Sequence, residues 1–247
     1  MKLVVQEAPA LKAAIDSVVS LVEEGQFEIK KEGLYLKAMD PSQISMVSFS
    51  MPKEAFVEYE VDEERKLGLN ISQFANVLSR GKRGEKAELS AEDGRLVVKF
   101  YADKRKRTFK VPLLEIGEGV SREPKIEFKS HVKINAEAFK ETLKDAKLVS
   151  SHVRLVLDKE KFIVDVKGEN GDVKAEFENG GKEVLEITTE SGAKATFPLQ
   201  YLEDMVKAST AASPLTIKLE TDKPMKLEYE MEGAKVAYFL APRIESD

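Results

Sequence analysis

The chain has 247 residues, with 39 Lys and Arg against 44 Asp and Glu and a net charge of −5. That is enough for one large domain or two of about 120 residues, and the total charge does not by itself draw the chain to polyanions. An apolar share of 42% and a charged share of 34% exclude disorder, while zero cysteines and two histidines exclude disulfides, thiolate nucleophiles, cysteine zinc sites, iron–sulfur clusters and His₃ centres.

Taken in chain order, Leu3–Val5 reads as a short strand leading to Pro9. Leu11, Ile15, Val18 and Val22 then recur at helical spacing, with Gly25 as the stop. Strands are predicted at Phe27–Lys30, Leu34–Met39 and Ser45–Met51. After Leu67-Gly-Leu-Asn, a helix from Ser72 carries Phe74, Val77 and Leu78 and stops at Gly81 and Gly84. Strands at Ala87–Ala91, Arg95–Tyr101 and Thr108–Ile116 follow, the first two joined by a Glu92-Asp93-Gly94 hairpin turn.

The second half repeats the order. His131–Ile134 is a strand, and Asn135 caps a helix with Phe139, Leu143 and Ala146 inward. Strands at Val153–Asp158, Phe162–Lys167, Val173–Glu178 and Ala195–Pro198 lead to a helix carrying Leu202, Met205 and Val206. Strands at Leu215–Glu220, Met225–Met231 and Lys235–Leu240 close the chain. The pattern is a duplicated α+β fold with its helices on one side of antiparallel sheets. Between the halves, Gly117-Glu-Gly-Val-Ser-Arg-Glu-Pro-Lys lacks periodicity and reads as a linker. The expected division is residues 1–116, a connector at 117–127, and residues 128–247.

No Walker loop, Gly-x-Gly-x-x-Gly motif or Gly-x-Ser-x-Gly elbow is present. His131 and His152 stand at strand starts and read as edge or surface residues. Acidic runs such as Glu23-Glu24 and Asp62-Glu63-Glu64 read as solvated charge. The expectation is no catalytic site, no metal and no cofactor. Residues 1–7 carry no apolar signal core, and no apolar run reaches the roughly 18 residues of a membrane span. A soluble, cytoplasmic protein is expected.

The distribution of charge says more than its total. Lys140, Lys144 and Lys147 form a stripe opposite Phe139 and Leu143. Arg80, Lys82 and Arg83 end the second helix, Lys12 and Lys207 lie on the first and fourth, and Asp103–Arg107 holds the densest basic run. Basic residues on the exposed sides of neighbouring helices suit the phosphates of a duplex. No aromatics interleave with them, so stacking on single strands is not indicated.

Four strings then occur in order: Leu36-Lys-Ala-Met-Asp-Pro-Ser-Gln-Ile-Ser-Met, Leu67-Gly-Leu-Asn-Ile-Ser-Gln-Phe-Ala-Asn-Val-Leu, Tyr201-Leu-Glu-Asp-Met-Val-Lys and Tyr238-Phe-Leu-Ala-Pro-Arg-Ile-Glu. Together they resemble the DNA sliding clamp of archaea and eukaryotes, the proliferating cell nuclear antigen family, with the archaeal branch nearer. The resemblance spans the whole chain. It implies a ring of three two-domain subunits whose helices line a hole for duplex DNA of any sequence. The ring tethers replicative polymerase, DNA ligase and flap endonuclease, is opened by an ATP-driven clamp loader, and has no catalysis of its own.

The resemblance also implies three sets of site residues. Lys12, Lys144 and Lys207 match the family's hole-lining bases, with Arg80, Lys82, Arg83, Lys140 and Lys147 as neighbouring charges; Val19, Asn76, Ser79 and Glu141 stand where bases are usual. Met39, Ile44, Met46, Val120, Ile126, Pro224, Tyr238, Leu240, Ala241, Pro242, Arg243 and Ile244 match a pocket for a partner peptide bearing a glutamine, an aliphatic anchor and paired aromatics. Phe109, Lys110 and Val111 on one edge strand, and Val173, Ala175 and Phe177 on another, match the subunit interface. The alternatives are one subunit of a heterotrimeric clamp, or an unrelated β-rich enzyme using paired acids.

Overall fold

The computed structural model describes residues 1–117, 122–169 and 171–244. The chain divides into two compact units, one of Met1–Pro41, Val47–Glu123 and Glu230–Val236, the other of Ser42–Met46, Pro124–Tyr229 and Ala237–Asp247. Among the described residues no helix is long and apolar enough to cross a membrane.

The first half runs β1 (Lys2–Val5), α1 (Ala8–Val19), β2 (Glu24–Lys30), β3 (Gly33–Met39), β4 (Ser45–Pro52), β5 (Glu58–Glu60), β6 (Arg65–Asn70), α2 (Ile71–Leu78), β7 (Lys86–Glu92), β8 (Arg95–Ala102) and β9 (Arg105–Pro112). One sheet has the order β5-β1-β7-β8-β9, and β6, β2, β3 and β4 follow one another in a second. Pro9 sits in the first turn of α1, where its missing N–H costs no helical bond. Leu11, Ala14, Ile15 and Val18 are buried, and α1 packs beside α2. Asn70 caps α2, its side chain accepting from the Gln73 N–H at 2.7 Å. Phe74 of α2 meets Phe27 edge-on, and Phe27 meets Phe49 in the same way.

The second half runs β10 (Ser130–Ile134), α3 (Ala136–Lys147), β11 (His152–Leu157), β12 (Lys161–Gly168), β13 (Gly171–Glu178), β14 (Val184–Thr188), β15 (Ala193–Pro198), α4 (Leu199–Val206), β16 (Leu215–Leu219), β17 (Met225–Met231) and β18 (Ala234–Leu240). Here β14, β10, β16, β17 and β18 are consecutive in one sheet and β15, β11, β12 and β13 make another. Asn135 caps α3 by accepting from the N–H groups of Glu137 and Ala138 at 2.9 and 3.2 Å. Phe139, Leu143 and Ala146 are buried as expected, and Phe139, Phe162 and Phe177 form an aromatic row. Topology therefore repeats element for element: β5-β1-β7-β8-β9 matches β14-β10-β16-β17-β18, and β6-β2-β3-β4 matches β15-β11-β12-β13.

Four differences from the expected elements have physical causes. α1 stops at Val19, not near Gly25. Val22 is buried in the following connection, and Gly25 already pairs with Leu69 inside β2. The apolar spacing ran on because the connection covers the same core. β9 begins at Arg105 and ends at Pro112, so Leu113–Ile116 is not strand. That segment turns back, and the Leu114 N–H donates to the Gly68 C=O at 2.9 Å. A Cβ at Gly68 would lie 2.2 Å from the Leu114 oxygen, which is why glycine stands there. The third and fourth are β5 and β14, which are not among the expected strands. Each forms by covering the free edge of β1 or β10. The Asp93-Gly94 turn has positive φ at both residues, as a two-residue hairpin loop of the primed type requires.

Glu228 on β17 couples fold stability to pH. Lys218 and Lys226 oppose each other across the β16–β17 ladder, and both lie 2.8 Å from the Glu228 carboxylate. Burial pushes this carboxyl up, but the two lysines outweigh that and hold it below the ordinary 4.5. A group with a depressed folded-state value stabilises above its unfolded value, and the gain is lost as pH falls through the folded one. Thermal melting should therefore weaken on acidification. Glu228→Gln should melt lower than wild type at neutral pH and show a shallower acid slope. Parallel melting curves for the two proteins across the acid range would refute the assignment.

Candidate nucleic-acid and peptide interfaces

The helix faces are built in two pairs. In the first unit, Leu11, Ile15 and Val18 turn inward, which places Lys12 on the other side of α1 with its ammonium on Asp16 one turn on. α2 ends at Leu78, and the loop behind it carries Arg80, Lys82 and Arg83. That loop is fixed at several points. The Gly84 N–H donates to Glu7, the Lys82 N–H donates to the Glu85 carboxylate at 2.8 Å, and the Ala8 N–H donates to the Glu85 C=O at 2.7 Å. Arg107 of β9 closes on the same buried carboxylate. The three cations are thus presented from a rigid loop on the start of α1. Among the described residues no carboxylate lies within 4.0 Å of the charged groups of Arg80, Lys82 and Arg83.

In the second unit α3 packs beside α4. Lys140, Leu143, Lys144, Lys147, Glu203 and Lys207 help to line a groove of about 330 Å³ along them. The expected lysine stripe is present, but its members differ. Lys144 and Lys147 have side chains 66% and 56% exposed. Lys140 is only 18% exposed, donating to the Ser209 C=O at 2.5 Å and to Glu137 at 3.3 Å. Lys144 reaches Glu141 at 2.6 Å, and hydrogen bonding to that carboxylate raises its pKa. Lys147 reaches Glu203 at 2.8 Å. Asp16 and Glu141 could have been found from their spacing to Lys12 and Lys144 on one helix. Glu203 could not, because only packing brings α4 to α3.

The peptide-pocket residues divide by exposure. Ile44, Pro224, Ala241 and Pro242 are half-buried, and Arg243 and Ile244 are exposed. The Ala241 N–H donates to the Ile44 C=O at 2.9 Å, so the loop at 42–46 and the segment after β18 share one surface of the second unit. The Arg243 N–H donates to the Thr196 C=O at 2.7 Å and fixes that segment on β15. Met46, Tyr238 and Leu240 are buried, Tyr238 and Leu240 completely. The Tyr238 hydroxyl lies 3.0 Å from that of Tyr229, which donates to the Met205 C=O and which burial pushes up to about 12. These three side chains support the surface from beneath. Met39 is a half-buried residue of the first unit, and Ile126 is half-buried in the second. Val120 lies outside the described residues. Glu123, at the near end of the connector, accepts from the Ser48 hydroxyl at 2.8 Å and pairs with Lys37 at 3.6 Å, a tether the sequence did not signal.

β9 and β13 each end a sheet, so each has one edge without a strand. Phe109 is half-buried against Phe100, ring centres 5.8 Å apart, and Phe177 stacks on Phe162 at 6.1 Å. Val173 and Ala175 are half-buried and Lys110 is exposed. The Val111 side chain is buried in its own unit, leaving only its backbone to a neighbour. The exposed charged positions of β9 are Arg105, Lys106 and Lys110, and those of β13 are Asp172, Lys174, Glu176 and Glu178, with Glu176 paired to Lys174 at 2.6 Å and to Lys161 at 3.4 Å. The acidic runs at Glu23-Glu24 and Asp62-Glu63-Glu64 are exposed.

Models of the proliferating cell nuclear antigen, N-terminal domain, and of its C-terminal domain match residues 1–117 and 122–244. A DNA polymerase sliding clamp from Methanococcus maripaludis strain C5 is 38% identical over 241 residues, covering 95% of this chain and 96% of the relative. A solved structure, the C-terminal region of FEN-1 bound to A. fulgidus PCNA, superposes with a TM-score of 0.89 at 29% identity, covering 100% of this chain and 99% of that one. The PCNA of Thermococcus kodakaraensis superposes with a TM-score of 0.93 at 24% identity over 98% of this chain and 99% of its own, a likeness of fold.

Proposed function

Because the chain belongs to the proliferating cell nuclear antigen family, the DNA polymerase sliding clamps, we propose that three copies close into a ring around duplex DNA and tether replication and repair enzymes to it. The observation that carries this reading is the repeated topology, which leaves β9 and β13 as open edges and turns lysines of α1, α3 and α4 outward. An open edge invites a strand, and two different edges on one chain give a head-to-tail contact that closes only if the rotation suits. The basic outer positions of β9 against the mainly acidic ones of β13, three carboxylates to one lysine, favour a second copy of the same chain as neighbour, hence a homotrimer. In this reading residues 117–127 connect the two domains, and Phe109, Lys110, Val111, Val173, Ala175 and Phe177 lie at the junction.

Lys12, Arg80, Lys82, Arg83, Lys140, Lys144, Lys147 and Lys207 supply the positive charge toward DNA. Their charge acts on the phosphate backbone and reads no base edges, so binding is independent of sequence. The surface formed by Ile44, Pro224, Ala241, Pro242 and Ile244 takes the partner peptide; a solved relative carries the C-terminal region of FEN-1. Polymerase, clamp loader, flap endonuclease and ligase are the partners. The protein works on DNA in the cell interior and catalyses nothing itself.

The purified chain should have the mass of a trimer by light scattering at micromolar concentration. Loaded on circular DNA it should be retained, and cutting the circle should release it, because a ring slides off an open end. A monomeric mass sinks the homotrimer. Equal dissociation from circles and from cut circles sinks encirclement.

A further inference from the structure

Apart from Lys140, which is drawn onto the Ser209 carbonyl and Glu137, the basic residues on or beside the helices of the two units are of two kinds. Lys12, Lys144 and Lys147 each sit on a carboxylate of the same unit: Asp16, Glu141 and Glu203. The charged groups of Arg80, Lys82, Arg83 and Lys207 have no carboxylate within 4.0 Å among the described residues, and all four residues are exposed. Helix stability accounts for the Glu141–Lys144 pair, where the acid precedes the lysine by three residues on α3, but less well for the other two. A carboxylate four residues before a lysine supports a helix better than one four residues after, yet in α1 the acid follows the lysine. The Lys147–Glu203 pair joins two helices and spans the groove, 2.8 Å from Nζ to Oε2.

Granting the clamp reading, we infer that Asp16, Glu141 and Glu203 are built-in counterions that hold DNA affinity down, so that phosphate contact falls on Arg80, Lys82, Arg83 and Lys207. A phosphate that takes Lys144 or Lys147 must displace a carboxylate already bound there. It then faces that freed carboxylate at close range. A surface ion pair is worth at most about 1 kcal/mol, the scale of one phosphate contact, so the acids compete with DNA without locking it out. Each lysine held this way neutralises no phosphate and adds nothing to counterion release. The result is a surface that follows the duplex through few firm contacts, which suits a tether that must move along DNA.

The test measures anisotropy of a short fluorescent duplex of mixed sequence across a salt series, with full-length trimer. Glu141→Gln with Glu203→Gln should bind about fivefold tighter at low salt, the factor that about 1 kcal/mol represents. Its salt slope should steepen by up to about 0.9 for each lysine released. Neutralising Glu63 and Glu64, the same change of charge in an exposed loop away from the helices, should gain less than about twofold. Removing both pairs whole, with Lys144→Gln and Lys147→Gln added, should return affinity to within about twofold of wild type. Arg80→Gln with Lys207→Gln should lose about tenfold or more. The inference falls if the Glu141/Glu203 variant binds like wild type, or if the loop control gains as much. It also falls if loss of the whole pairs costs as much as loss of Arg80 and Lys207. Wild-type retention on loaded circles separates the two levels: retained circles with an unresponsive acid variant overturn this inference alone, and failure of retention overturns the clamp reading with it.

Discussion

Phe109→Ala is expected to turn the trimer into monomers at micromolar concentration. Phe109 lies on the open-edged strand β9, half-buried against Phe100. A neighbouring β13 would cover the remainder of its ring. Removing a buried aromatic side chain costs about 1.5–3 kcal/mol, and at about 1.4 kcal/mol per tenfold that weakens each junction by one to two orders of magnitude. A closed ring needs all its junctions at once, so the loss is felt at every one. The fold itself should survive, because Val111 and Phe100 keep the sheet anchored to the core. Sedimentation should show the monomer mass with an unchanged circular dichroism spectrum. A variant that stays trimeric would mean that the ring closes through a different edge. Reversing charge across the same junction, with Lys110→Glu, should weaken the ring as well, and adding Glu176→Lys should restore part of the loss. No restoration would remove the argument from charge complementarity.

Ile44→Asp is expected to abolish binding of a peptide carrying a glutamine, an aliphatic anchor and paired aromatics, while the trimer persists. Ile44 is half-buried, and its backbone C=O holds the Ala241 N–H. The substitution keeps that bond and places a carboxylate where an apolar anchor would sit. Anchors of this kind are worth about 2 kcal/mol or more, a loss of about thirtyfold or beyond. Leu240 cannot serve as the test residue. It is completely buried, so a charge there would break the core and abolish binding for an unrelated reason. Titration calorimetry with the peptide, alongside melting curves and mass in solution, distinguishes the two. Unchanged affinity in the Ile44 variant would place the peptide elsewhere.

The duplication was legible in the sequence because it rests on local rules. Helical spacing of Phe139, Leu143 and Ala146, the Asn135 cap and the Asp93-Gly94 turn each specify their own conformation from neighbouring residues. The strings around Met39, Gly68 and Tyr238 carried the family. Gly68 shows why such a string persists as a physical need: its missing Cβ makes room for the Leu114 carbonyl. The two overlooked strands, β5 and β14, show the opposite case. β5 is only three residues long, and β14, though rich in strand formers, breaks the alternation by burying only Val184 and Ile187; each extends along the outer edge of β1 or β10. The end of α1 was misread because burial continues through Val22 after the helix has stopped.

The sequence by itself determined the type of nearly every element, the repeat, and which helix faces carry base, since a side chain's face follows from helical or strand periodicity alone. The tertiary structure decided which of those basic residues are available. Lys140 and Lys144 differ by one turn of the same helix, yet one is drawn onto the Ser209 carbonyl and the other stands outward on Glu141. It buried Leu240 and Tyr238 completely and left Ile44 and Ala241 half-buried, joined by a backbone hydrogen bond. It also brought Glu203 to Lys147 and Glu85 to Arg107, partners separated by 56 and 22 positions. Contacts between elements depend on packing and on which way each side chain finds room, and periodicity along one element holds no information about its neighbour.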